Sequence, residues 1–153
     1  MLEQNKQKMK YSKQGQKVTI YEKDDSGNIV YEGYTDGDGV FTPYLNEKGE
    51  KIPRILREVV GFSEPIDFKA NISNKLSEVL VKEFGVDESS SYCQIVTKKD
   101  YISLEVGDLI WKKSEVARDD DNLIDKNSAD YIVKGVADEG LSVDLYLLQK
   151  NVG

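Results

Sequence analysis

The chain has 153 residues and a formal net charge of −7, with one cysteine, one tryptophan, nine tyrosines and no histidine. Without histidine the commonest general base, the usual serine triad and most catalytic zinc sites are excluded, and the lone Cys93 cannot close an internal disulfide. No apolar run approaches the roughly 20 residues that span a bilayer, so no membrane partner is expected.

The opening stretch, MLEQNKQKMKYSKQGQK (1–17), lacks the apolar segment of a secretory signal. It holds Lys6, Lys8, Lys10, Lys13 and Lys17 against Glu3, and subtracting that +4 from −7 leaves −11 on the remainder. We expect residues 1–17 to form an extended basic arm, with Lys6, Lys8, Lys10 and Lys13 available for assembly. Such an arm can dock on a neighbouring subunit, stay disordered or touch DNA. The acidic remainder is poorly suited to tight nucleic-acid binding, because affinity for phosphates comes from Lys and Arg.

Residues 18–150 read as one β-rich domain. KVTIYEKDDSGNIVYEGYT reads as a hairpin, with DDSGN as the turn and Ile29 to Tyr34 as the returning strand. The segment that follows, TDGDGVFTPYLNEKGEKIPRI, is dense in turn formers, and Arg57 to Phe62 reads as another strand. PIDFKANI places Ile66, Phe68, Ala70 and Ile72 on one face of a strand. Ser73 is then the expected N-cap, Asn74 to Phe84 a short helix, and Gly85 its stop.

YCQIVTKK is an apolar strand, and EVGDLIWKKS turns at Gly107–Asp108 into a strand through Trp111. The charged run EVARDDDNLIDKNSA interrupts the pattern. DYIVKGVADEGLSVDLYLLQK closes the reading as a hairpin across ADEGL. Strands at regular spacing, separated by turn signals, argue a mainly β protein: a small β-barrel or sandwich domain with one short inserted helix. No internal repeat is evident.

Few motifs carry chemistry. Asp119, Asp120, Asp121, Asp125 and Asp130 invite a calcium reading. The run lacks the glycine and terminal glutamate of an EF-hand, so an exposed, solvated acidic loop is the simpler expectation. DGDG at Asp36 to Gly39 is accounted for as a turn. No phosphate-binding glycine loop is present, and chance carboxylate pairs are uninformative among 28 acidic residues. Cys93 lies in an apolar strand as an inert thiol. No cofactor, metal or catalytic residue is expected. The tyrosines suit strands and interfaces equally.

The order of segments FKANISNKLSEVLVKEFGVD, YCQIVTKKD, LEVGDLIWKKS and DYIVKGVADEGLSVDLYLLQK resembles the head-closure, or stopper, proteins of the head-to-tail connector in long-tailed bacteriophages. That pattern has an F-x-A-N-[IV]-S strand end, a polar segment ending in F-G, a strand like QIVT, a G-D or D-x-[LV]-[IL]-W turn and strand, and finally DYIVKxVA, a turn and a last strand. Phe68, Ala70, Asn71, Ser73, Phe84, Gly85, Asp108, Leu109, Trp111, Asp130, Tyr131, Val133 and Val136 match it, over about residues 66–148. The acidic insertion between Trp111 and Asp130 is longer than in that pattern.

The resemblance implies a non-enzymatic virion protein of the neck, made in the host cytoplasm. It would assemble with itself, usually as a hexameric ring, below the portal and its adaptor and above the tail terminator or tail. Its role would be to retain the packaged genome and complete the head, passing double-stranded DNA without sequence-specific binding. By position, Ser73, Asn74, Lys75, Ser77, Glu78, Lys82 and Glu83 become a candidate channel, gate or inter-subunit segment. Alternatives are another connector role (adaptor or tail terminator) and a small OB-like module for single-stranded nucleic acid, given a small barrel, many aromatics and a basic arm.

Overall fold

The computed structural model describes residues 6–86 and 91–152. Two compact units are present, one comprising residues 1–16 with 61–153 and the other residues 17–60, where a single domain over 18–150 was expected.

The first unit is a closed antiparallel barrel. Its strands are β1 (Gln7–Ser12), β6 (Ile66–Ser73), β7 (Tyr92–Lys98), β10 (Val143–Lys150), β9 (Tyr131–Ala137) and β8 (Leu109–Trp111), in that order around the wall, with β8 closing on β1. Closure gives each of these strands a hydrogen-bonded neighbour on both sides. The expected basic arm is corrected here: residues 7–12 of it form a wall strand. Met9 is buried in the barrel and Tyr11 packs against it, while Lys8 and Lys10 point outward. The alternation of a strand was present in KMKYS, but the lysines made it read as a charge run. Residues 1–5 of that stretch lie outside the described residues.

The interior is filled by Met9, Phe68, Cys93, Ile95, Val133, Tyr146 and Leu148 among others, with Leu104 packed into the same cluster from the β7–β8 connection. Tyr146 finds a partner for its hydroxyl in the Ile102 carbonyl at 2.9 Å, as a buried phenol must. Two further clusters lie on the outer wall. Leu109 and Trp111 are covered by Ile124 and Ala129 of the long 112–130 segment. Leu147 is covered by Leu76 and Leu80 of the α1 region. Strand β10 is therefore apolar on both faces, which explains the near-continuous run LYLL.

Helix α1 runs from Glu78 to Phe84, and its N-cap is Ser77 rather than the expected Ser73. The Ser77 hydroxyl accepts from the Leu80 N–H at 3.4 Å, and its own N–H donates to Gln94 Oε1 at 2.6 Å. Ser73 ends β6 instead, its hydroxyl accepting from the Lys75 N–H at 3.1 Å. The stop was read correctly: Gly85 sits at φ +63 and its N–H bonds the Val81 carbonyl.

The second unit is a set of short hairpins with almost no interior, since Ile20 is its one buried side chain among the described residues. Strand β2 (Gln16–Tyr21) pairs with β5 (Ile55–Gly61), and β3 (Gly33–Thr35) pairs with β4 (Phe41–Pro43). The hairpin expected across DDSGN is thus local only. Lys23 bridges to Ile29, but the strand ending at Tyr21 pairs with β5, far along the chain.

Three turns in this unit repeat one geometry. Asp24 Oδ1 accepts from the N–H groups of Ser26 and Asn28, Asp36 Oδ1 from Asp38 and Val40, and Asn46 Oδ1 from Lys48 and Glu50, all at 2.9–3.0 Å. Each carries a glycine at φ near +80, namely Gly27, Gly39 and Gly49. Asp119 builds the same turn in the barrel unit with Asn122 at φ +65. This is a recurrent turn motif where no repeat was expected; its spacing is too irregular to stand out in the sequence.

Candidate functional site

Three buried or half-buried carboxylates of the barrel unit act on backbone. Asp108 is fully buried and accepts from the N–H of Gln14 and of Glu105, both at 2.8 Å, and from Lys13 Nζ at 2.7 Å. Asp144, also buried, accepts from the Asp100 N–H at 2.9 Å and from Lys99 Nζ at 3.0 Å, fixing a turn whose Asp100 has φ +62. Asp130 gathers the N–H groups of Lys112, Lys113 and Ser114 and the Ser114 hydroxyl. Burial raises the Asp130 pKa, but those four donors outweigh it and hold the carboxyl below the usual range. Carboxylates saturated in this way clamp turns. Lys13, expected in an assembly arm, is such a clamp, bridging Asp108, Glu105 at 3.4 Å and the Ser103 carbonyl.

The candidate gate segment splits by face. Leu76 and Leu80 lie on the barrel, and the Phe84 ring covers Gly135 so closely that a Cβ there would stand 2.5 Å from it. Asn74, Lys75, Glu78, Lys82 and Glu83 are exposed, as is Ser73, while Ser77 is half-buried in its capping role. Glu78, Lys82 and Glu83 therefore lie on the exposed side of a helix whose other side is core, and Ser73, Asn74 and Lys75 lie in the exposed lead-in to it.

The acidic loop is tethered. Asp119 Oδ1 is consumed by its turn, Asp125 accepts from the Asn127 N–H to cap a 3₁₀ turn at Lys126–Ser128, and Arg118 forms a bidentate pair with Glu64. Asp120 and Asp121 are exposed. Among the described residues no group of three or more Cys, Asp or Glu side chains converges as a metal site. Cys93 is fully buried, and burial pushes its thiol up to about 11. Among the described residues no helix is long and apolar enough to cross a membrane.

Two surfaces remain for recognition. One is a cleft of about 550 Å³ on the barrel, lined by Lys8, Lys10, Lys69 and Lys112 with Asp67, and by Met9, Phe68, Tyr101 and Trp111. Lys8 and Lys69 face each other directly across the β1–β6 ladder, a like-charge pairing that costs a few tenths of a kcal/mol or more. Among the described residues none of these four lysines has an ion pair. Lys8 and Lys10 were expected to matter; Lys69 and Lys112 were not singled out, because only barrel closure brings the strands that carry them together. Lys6 immediately precedes β1.

The other surface is the 17–60 unit. It holds eleven of the eighteen exposed large apolar side chains among the described residues, including Tyr34, Val40, Phe41, Tyr44, Leu45 and Val60. Tyr34 and Tyr44 stack on each other at 5.9 Å without being covered. Comparisons with family models, with curated proteins and with solved structures returned no match.

Proposed function

We propose that the chain is a structural subunit of a bacteriophage head-to-tail connector, forming a ring below the portal and adaptor that closes the DNA channel and offers a docking surface to the tail. The observation that carries this reading is the 17–60 unit, a set of hairpins with almost no core that presents apolar side chains to solvent. Two-stranded hairpins are marginal alone, and so many exposed large apolar side chains in one small unit suit a protein interface. A ring subunit needs two unlike surfaces, one for each neighbour. The stopper-like order of motifs supports the same reading, as does the acidic balance, which lets DNA pass without adhering.

The polar side of α1 (Glu78, Lys82, Glu83), with Lys75 just before it, is the gate or inter-subunit face on this reading. The test is addition of the purified chain to a portal–adaptor complex, followed by electron microscopy. A ring of density beneath the adaptor is expected. A complex left unchanged, together with absence of the chain from purified virions by mass spectrometry, overturns the reading.

A further inference from the structure

We infer that the lysine cleft on the barrel receives the Asp36–Gly39 turn of the 17–60 unit from a second copy of this chain. The inference rests on the reading of the chain as a ring subunit and names the contact that would join neighbours. Four lysines and one aspartate line the cleft, on a chain whose overall charge is −7. A surface so out of keeping with the rest calls for an acidic occupant, and the exposed ring of Tyr101 at its edge offers an apolar contact as well.

The Asp36–Gly39 turn meets both requirements. It carries Asp36 and Asp38 at the tip of the β3–β4 hairpin, with exposed Tyr34, Val40 and Phe41 directly behind. Asp36 spends one oxygen on its own turn, whereas only the backbone N–H of Asp38 takes part, which leaves the Asp38 carboxylate for a partner. A cleft of about 550 Å³ lies within the ordinary range of binding pockets, roughly 300–1,000 Å³. The acidic 119–125 loop is the weaker occupant. Its apolar Ile124 is already buried on Trp111, and Arg118 ties it to Glu64. Turn and cleft are different surfaces, so the contact is head-to-tail, as the neighbours of a ring subunit require.

The test compares the wild-type chain with Lys8→Glu/Lys69→Glu, with Asp38→Lys, and with the combined Lys69→Glu/Asp38→Lys chain. Ring formation is scored on a portal–adaptor complex, and self-association by sedimentation at low and high salt. All substituted side chains are exposed, so thermal melting should stay at the wild-type value. Each single-surface variant should assemble about tenfold or more weakly, with wild-type assembly falling as salt rises. The combined chain should recover most of the loss. Wild-type rings from Lys8→Glu/Lys69→Glu overturn the cleft assignment and leave the ring reading standing, whereas no ring from the wild-type chain overturns both. Loss of retention on duplex DNA by that variant, with ring formation intact, also overturns it and makes the cleft a phosphate-binding surface.

Discussion

Replacing Gly135 by alanine should loosen α1 from the barrel. A Cβ at this position would lie 2.5 Å from Phe84 Cζ and 2.7 Å from each Cε, where ordinary contact begins at about 3.4 Å. The ring must therefore retreat by about 1 Å. It cannot do so freely, because Phe84 ends a helix held down by Leu76 and Leu80. Overpacking of this kind costs about 1–3 kcal/mol. The ceiling is the cost of expelling the ring altogether, and for a half-buried Phe that lies at or below the lower end of the roughly 3–5 kcal/mol range seen for Phe→Ala. Urea denaturation of Gly135→Ala, Phe84→Ala and the double variant measures the coupling. Once the ring is gone, the added methyl should cost nothing, so a coupling of about 1–3 kcal/mol is expected. Additive losses, or a Gly135→Ala chain within 0.5 kcal/mol of wild type, would refute the packing argument and the anchoring of α1 that follows from it.

Leu80 is fully buried, so Leu80→Asp should lower stability by at least about 3 kcal/mol, read as a drop in melting temperature; normal melting with failed assembly would mean that this side chain meets a neighbour instead. Asp130 is held below its ordinary pKa, so its contribution is present above about pH 4 and is lost as pH falls through its folded value. The stability gap between wild type and Asp130→Asn should accordingly narrow from pH 6 to pH 2, and a constant gap would contradict the four-donor clamp. Cys93, with its thiol raised to about 11, should be inert to a thiol reagent at pH 8 in the folded chain and react fully in denaturant. Its raised pKa also favours the folded state below about pH 8.5, an advantage that disappears as pH climbs through the folded value.

The wall strands were legible where period two was clean. β6, β7, β9 and β10 were found from FKANI, YCQIVTK and the two halves of the closing hairpin, and Gly107 marked the turn into β8. β1 was concealed because its outward positions are lysines, and a lysine-rich stretch at a chain end resembles a solvated arm. The N-cap was misplaced by four residues because two serines in SNKLS are equally good caps locally. Gln94, on β7, bonds the Ser77 N–H and so fixes the helix start from across the sheet.

What the sequence determined alone was local. The mainly β class, the stop at Gly85, the turn at DGDG and the exclusion of histidine chemistry all follow from residue type and short-range spacing. The tertiary structure decided the rest, because it depends on which strands become neighbours. Closure of β1 against β6 and β8 brings Lys8, Lys69 and Lys112 to one cleft from positions that are far apart in the chain. The pairing of β2 with β5 forms a unit in which Tyr21, Tyr34 and Tyr44 stay exposed. Register is set by long-range burial, and no window of a few residues contains it.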